Sequence, residues 1–425
     1  MPDTIFARST GGPPAAILIV RVSGPSARAA GLALAASLPN ARTAAVRALI
    51  DPQSGEVIDH ALVLWFDGPH SATGDDIVEF HCHGGRAVTE AVLTALAGLP
   101  GLRAAEPGEF TRRAFHNGRI DLTEAEGLAD LLEAETEVQR RAAMLLAGGG
   151  LRHLIEGWRQ RLLELSARIE HAIDYVGEDE QEVELAIQPD LVRLRAELVE
   201  WLSRPRIEPL REGVRVVIAG PPNVGKSSLL NALAGYDRAI VAPEAGTTRD
   251  HIDITLAVDG IPILLTDTAG LRSTDDQIEA AGVARSERLA GSADILLWLG
   301  ERAPRPSGPR TIWVRSKSDL GEHPQDLDAA HSVSAKTGDG IGELLRSVAQ
   351  QARDILPTEG EIALNARQAV ILLEAVDALD IAANDDILLA AEGLRQARSA
   401  FDRITGRAGV DDFLDTLFGR FCLGK

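Results

Sequence analysis

Lysine is almost missing from this chain. Of its 43 basic residues, only Lys226, Lys317, Lys336 and Lys425 are lysine, and arginine supplies the rest. Such a bias implies that lysine is kept where a flexible stem and a compact ammonium cannot be replaced by a planar guanidinium. Cysteine is scarce too. Cys82 and Cys422 cannot build a disulfide framework, which favours a reducing compartment. The opening MPDTIFARST has no basic start followed by an apolar core, so no secretory leader is read there. No apolar run approaches the length that spans a bilayer. These absences together predict a cytoplasmic protein without membrane attachment. Positive charge is also in deficit: a formal net charge of −20 argues against non-specific binding to nucleic-acid phosphates. A local arginine-lined patch working against that global field stays compatible with it.

What is present begins with changes of period along the chain. Residues 1–118 alternate strand-like apolar runs, Ala16 to Val22 and Ala61 to Phe66 among them, with Gly/Pro clusters. Residues 119–213 carry long amphipathic helices. Thr123 and Glu126 fit a capping box opening a helix that runs to Gly148-Gly149-Gly150. At VRVVIAG, Val214 to Gly220, a continuous apolar strand enters a Gly-rich loop, the signature of a parallel sheet. Strands and helices then alternate over 214–356, and long helices return over 357–425. The predicted architecture is multidomain α/β and α, with an α/β domain inserted into a helical one.

The inserted segment holds a nucleotide signature. Gly220-Pro221-Pro222-Asn223-Val224-Gly225-Lys226-Ser227 matches the phosphate-loop pattern between a strand and the helix that opens SLLNAL. Backbone amides there turn onto phosphate oxygens, Lys226 reaches the β- and γ-phosphates, and Ser227 suits Mg²⁺, with Ser228 next in the helix. Ala242-Pro243-Glu244-Ala245-Gly246-Thr247-Thr248 is a candidate first switch that contributes a threonine to Mg²⁺ and the γ-phosphate. Asp267-Thr268-Ala269-Gly270 puts a carboxylate near Mg²⁺ and a glycine amide near the γ-phosphate. Ser316, Lys317 and Asp319 form the base-recognition motif, in which Asp319 accepts from N1–H and N2–H of guanine. Ser334-Ala335-Lys336 completes the base pocket. Five motifs in this order select GTP over ATP. The first residue of the base motif is usually Asn; Ser316 is shorter and is expected to lose a tie between base loop and phosphate loop.

The residue after the second-switch glycine, where Ras-like enzymes orient water with glutamine, is Leu271, which cannot do so. Hydrolysis therefore needs other groups. Asn223 offers an oxygen where a monovalent cation could supply positive charge. Glu279, in the acidic stretch after the second switch, either orients water or belongs to a solvated loop.

IVRVSG, TGDDIVEFHCHGG, PGEFTRRAFHNGRIDLTEAE and the terminal FCLGK are far more specific than a phosphate loop. With the inserted GTPase segment, they make the chain resemble the MnmE (TrmE) family of tRNA-modification GTPases from end to end. The resemblance implies a homodimer formed by the N-terminal domains, with a tetrahydrofolate one-carbon donor bound there. It also implies an FAD-containing partner of the MnmG (GidA) type. With that partner the family adds an aminomethyl-type (carboxymethylaminomethyl) group to C5 of the wobble uridine of certain tRNAs. The family's GTPase domains meet across the dimer with K⁺ between them. Carried over by motif, Asn223, Ala242, Glu244 and Thr247 fall on K⁺ contacts, Ser227 and Thr248 on Mg²⁺ ligands, and Glu279 on the water-orienting glutamate. Arg21, Glu79, Arg119 and Lys425 fall on folate contacts, and Cys422 on the tail cysteine. Departures lie in GGPPAA before Ile17, in Arg119, in Leu423 and in the short GERAPRPSGP, Gly300 to Pro309.

The tail supports a docked end on its own terms: Phe421, Cys422 and Lys425 are costly choices for a frayed terminus, although a buried cysteine and a snorkelling lysine would also explain them. His81-Cys82-His83 alternates on a strand, sending Cys82 opposite the two histidines, which argues against zinc. Two other classes compete. An Era-like regulatory GTPase that binds RNA without modification chemistry shares the nucleotide motifs, yet gives no reason for residues 1–118 or for the Cys-x-Gly-Lys end. A self-assembling GTPase that remodels a membrane would need a basic amphipathic anchor, which is not seen.

Overall fold

The computed structural model describes residues 3–175, 187–236, 240–241, 253–267, 291–299, 310–320, 331–384, 386–409, 411–421 and 424. The chain divides into two compact units: residues 1–129, 151–156 and 401–425 form one, and 130–150 with 157–400 the other. In chain order the elements are β1 (Thr4–Arg8), β2 (Ala15–Ser23), α1 (Ala27–Ala35), β3 (Ala45–Ile50), β4 (Val57–Phe66), β5 (Ile77–Gly84), α2 (Arg86–Ala97), β6 (Leu102–Ala104), α3 (Glu109–His116) and α4 (Leu122–Glu133). They continue with α5 (Glu137–Ala147), α6 (Gly150–Tyr175), α7 (Gln188–Ser203), α8 (Glu208–Glu212), β7 (Val214–Ala219), α9 (Lys226–Ala234), β8 (Ile240–Val241), β9 (Asp253–Val258) and β10 (Ile261–Asp267). Last come β11 (Ile295–Trp298), β12 (Arg310–Arg315), β13 (His331–Ser332), α10 (Ile341–Arg353), α11 (Ala366–Ala382), α12 (Ile387–Ile404) and α13 (Asp411–Gly419). Among the described residues no helix is long and apolar enough to cross a membrane.

The first unit is built on a six-stranded sheet in the order β3-β4-β5-β2-β1-β6. All its pairings are antiparallel except β1 with β6. Period-two alternation decides its faces. Leu18, Val20 and Val22 of β2 share one buried core with Val78, Phe80 and Cys82 of β5, and α1 and α2 contribute Leu34, Val92 and Leu96 to it. Cys82 is therefore a core residue, and burial pushes its thiol up to about 12. The residues between them, Arg21, Glu79 and His81, line the other face. A second core joins α4 to α13 through Leu122, Ala125, Leu417 and Phe418. Gly108, the N-cap of α3, is needed where α3 approaches α13: it sits at φ 69°, and a Cβ there would lie 2.2 Å from the Phe418 carbonyl oxygen.

The nucleotide-type sheet lies in the second unit, ordered β13-β12-β11-β7-β10-β9-β8. Strands β13, β12, β11, β7 and β10 run parallel, and β9 and β8 continue antiparallel. The apolar run read at Val214 is β7, with five of its six residues buried as expected of an inner parallel strand. On its one face, Val216, Ile218, Leu229, Ile263, Leu265, Leu344 and Val348 form a core beneath α9 and α10. Helix α11 packs along α7, tied by the Arg195–Asp380 ion pair and by Gln188 donating to the Ala383 carbonyl. The architecture is the multidomain α/β and α arrangement read from the sequence.

One helix expectation needs correcting. The stretch beginning near Asp121 is two helices, α4 and α5, broken around Ala134–Glu135. The capping pair of α4 is Asp121 with Glu124, not Thr123 with Glu126. Asp121 accepts from the Glu124 amide at 2.9 Å and its own amide donates to Glu124 at 2.7 Å. Thr123 instead donates to Asp121, and Glu126 is buried. The second box, Thr136 with Gln139, restarts the helix.

Candidate nucleotide site

The phosphate loop links the end of β7 to the start of α9, and its backbone is unusual for a reason visible in its packing. Gly220 sits at φ 147°, where a Cβ would come 2.1 Å from the Leu299 carbonyl oxygen; Gly225 sits at φ 105°. Asn223, without that freedom, still takes φ 62°, the left-handed region. Two residues of the base loop hold it there. Lys317, itself at φ 59°, donates from Nζ to the Asn223 carbonyl at 2.9 Å. The Ser316 hydroxyl donates to the Val224 carbonyl at 2.5 Å. The expected loss of the tie at Ser316 is thus corrected: its short side chain reaches the loop because the two loops approach closely.

Deeper in the loop, the Lys226 ammonium donates to the Gly220 and Pro221 carbonyls at 2.9 and 2.8 Å. Burial lowers its pKa, against the opposing pull of the Asp267 carboxylate. Asp267 ends β10 almost fully buried, and accepts from the Ser227 hydroxyl at 2.7 Å. This pairing brings together a hydroxyl and a carboxylate oxygen, the hard donor set that suits Mg²⁺. Ser228 follows, exposed, in the first turn of α9.

The base pocket is pre-assembled. Ser334, fully buried, donates to Asp319 at 2.8 Å, and that bond, with Lys336 nearby, holds the Asp319 carboxyl below its usual range. The Ser334 hydroxyl also accepts from the amides of Lys336 and Thr337, which orders the Ser334-Ala335-Lys336 turn. Sequence reading had not found the strut between the two base motifs, a bond from the Ser318 amide to the Val333 carbonyl at 3.1 Å. Backbone bonds of this kind leave no mark on residue type. Ala242, Pro243, Glu244, Ala245, Gly246, Thr247, Thr248, Thr268, Ala269, Gly270 and Glu279 lie outside the described residues.

In the first unit the structure joins Arg21 and Glu79 across β2 and β5, at 2.8 Å, in direct register. His81, not singled out as a ligand from sequence, meets the second Glu79 oxygen at 3.2 Å. The two-residue spacing on β5 was the signal that could have found it. Arg21 also lies over the Phe110 ring, 5.8 Å from its centre. Arg119 is exposed, its stem against Gly74 in the loop before β5. Cys422 and Lys425 lie outside the described residues, but their neighbours are docked. Phe421 is buried against α4 and α13, and the Ser9 hydroxyl donates to the Gly424 carbonyl at 3.0 Å. Gly424 takes φ 94°, and a Cβ there would lie 2.1 Å from the Arg8 carbonyl oxygen.

A phosphate loop, a carboxylate beside its serine and a guanine-type pocket on a mostly parallel sheet define a P-loop GTPase. Comparison with known proteins makes this specific. Residues 4–119 match the family described as "GTP-binding protein TrmE N-terminus", and residues 122–422 the one described as "MnmE helical domain". The chain is 54% identical over 427 residues to the tRNA modification GTPase MnmE of Erythrobacter litoralis, covering 100% of both chains. It is 53% identical to the protein of that name from Rhizorhabdus wittichii, covering 100% of this chain and 97% of the other. It is 50% identical to the one from Novosphingobium aromaticivorans, covering 100% of both. The chain belongs to the MnmE family of tRNA modification GTPases, and it hydrolyses GTP in tRNA modification.

Proposed function

We propose that the chain is a potassium-activated GTPase that works in the cytoplasm as a homodimer. With an FAD-containing partner of the MnmG type, it adds a carboxymethylaminomethyl-type group to C5 of the wobble uridine, using a tetrahydrofolate one-carbon donor. Asp319 reads guanine, Lys226 and the loop amides hold the phosphates, and Ser227, Asp267 and Thr248 would hold Mg²⁺, which neutralises developing phosphate charge. Asn223, with Ala242, Glu244 and Thr247, would hold K⁺, which supplies the positive charge an arginine finger gives elsewhere. Because Lys317 already engages the Asn223 carbonyl, the side-chain oxygen of Asn223 is the group assigned to the cation. Glu279 is assigned to orienting water. Domain limits at 118, 213 and 356 belong to this reading.

The observation that carries modification chemistry over an Era-like switch is the seated C-terminal end. A regulatory GTPase has no use for a glycine packed so closely on Arg8 and bonded to Ser9, between a cysteine and the terminal lysine. Arg21, Glu79, Arg119 and Lys425 are the assigned folate contacts, and Cys422 is the assigned tail cysteine. Calorimetric titration with 5-formyltetrahydrofolate tests this. Binding is expected in the wild type, with at least about tenfold weaker binding in Gly424→Ala, whose Cβ cannot fit. No binding in the wild type would remove the folate donor from this reading.

A further inference from the structure

Helix α5 precedes the nucleotide segment in sequence, yet one side chain fastens it to the root of the nucleotide sheet. Gln139 uses both ends of its amide. Its Oε1 accepts from the Glu135 and Thr136 amides at 3.0 and 2.9 Å and from the Thr136 hydroxyl, completing the cap of α5. Its Nε2 donates to the Leu210 and Arg211 carbonyls at 3.1 and 3.2 Å, the last turn of α8. Those carbonyls are the groups a helix C-terminus leaves unpaired, so the amide satisfies them.

Two residues on, β7 begins, and it leads directly into the phosphate loop. Gly213 marks the junction: it takes φ 90°, with the Leu264 amide 3.1 Å from where a Cβ would stand. Leu264 lies on β10, whose final residue is Asp267. Val138 and Ala142 of α5 pack against the core beneath this sheet, and Val138 comes within 3.9 Å of the Cβ position at Gly260 in the β9–β10 turn. The same root is tied from the other side. Glu208 accepts from the Ala366 amide at 2.5 Å, and the Ile207 amide donates to Leu364 at 3.2 Å, at the start of α11.

We propose that Gln139 is a positioning residue for the GTPase reaction's output: it fastens α8, which leads into β7 and the phosphate loop, to α5, so that nucleotide state is felt in the helical segment. With this clamp, α8 and α5 move together. The inference rests on GTP hydrolysis and is independent of the folate reading.

Gln139→Glu separates the two halves of the clamp. Glutamate is a good acceptor at the third position of a capping box, so α5 keeps its cap. It has no N–H for the Leu210 and Arg211 carbonyls. Amide hydrogen exchange over residues 137–147 is measured with GDP and with a non-hydrolysable GTP analogue. The wild type is expected to differ between the two states by about tenfold in protection, a local-opening effect. In Gln139→Glu that difference disappears while GTP hydrolysis stays within about twofold in kcat/KM. Three results overturn the proposal: equal protection in the two states of the wild type, an intact difference in the variant, or loss of GTP hydrolysis in the variant.

Discussion

At Ser316 a single residue shows how far type alone carries. From sequence, a serine where asparagine is usual signals a lost tie. The structure shows the tie kept, at 2.5 Å to the Val224 carbonyl. What sequence cannot give is the distance between two loops some ninety residues apart, and that distance decides whether a short side chain is enough. Its neighbour Lys317 shares the work by holding Asn223 in its left-handed conformation. The tie therefore contributes to nucleotide affinity through the shape of the phosphate loop, with no contact to the nucleotide needed. Ser316→Ala is expected to weaken GDP binding about fivefold, the worth of one net hydrogen bond of about 1 kcal/mol. Fluorescence titration with a labelled GDP checks this. Affinity unchanged in the variant would assign the loop's shape to Lys317 alone.

Among elements, those with strong patterns were legible and those set by capping geometry were less so. The apolar runs of β2 and β7 and the alternation of His81, Cys82 and His83 on β5 were legible from residue type. The break between α4 and α5 did not show, because both halves keep helical periodicity and the stop is made by a new cap at Thr136. Helix α3 holds another feature invisible to pattern. Arg113, 2% exposed, is ringed by Asp3, Asp75 and Glu109, and Glu109 is also gripped by Arg103. Burial alone would raise the Glu109 pKa, but hydrogen bonds from Arg103, the Glu106 amide and Arg113 outweigh it and lower the pKa from 4.5. A depressed carboxylate stabilises the fold above its unfolded pKa and loses that contribution as pH falls through the folded value. Thermal melting of the wild type is accordingly expected to fall as pH drops below about 4.5, and that of Glu109→Gln to fall less steeply. Parallel slopes for the two proteins would place the acid sensitivity elsewhere.

Over the whole molecule, the nucleotide site was the most legible part. Its chemistry is written in short local motifs, and the described ones, Gly220 to Ser228, Asp267, Ser316 to Asp319 and Ser334 to Lys336, converge on one end of one sheet. The face bearing Arg21 and Glu79 was less so, since it joins residues on different strands and needs register to assemble it. The tail's docking needed both: Phe421 announced a buried end by its type, whereas the seat of Gly424 on Arg8 came only from packing. One chain thus combines a nucleotide engine with a second polar site far away in sequence. The central proposal is that a monovalent cation held at Asn223 supplies positive charge to a reaction in which Leu271 cannot orient water. GTP turnover by the purified protein in KCl and in NaCl at matched ionic strength tests it most directly. The proposal predicts hydrolysis about a hundredfold faster in KCl, the lower end of the worth of one positioned transition-state donor, with the advantage lost in Asn223→Ala. Equal rates in the two salts would contradict it and remove K⁺ from the mechanism.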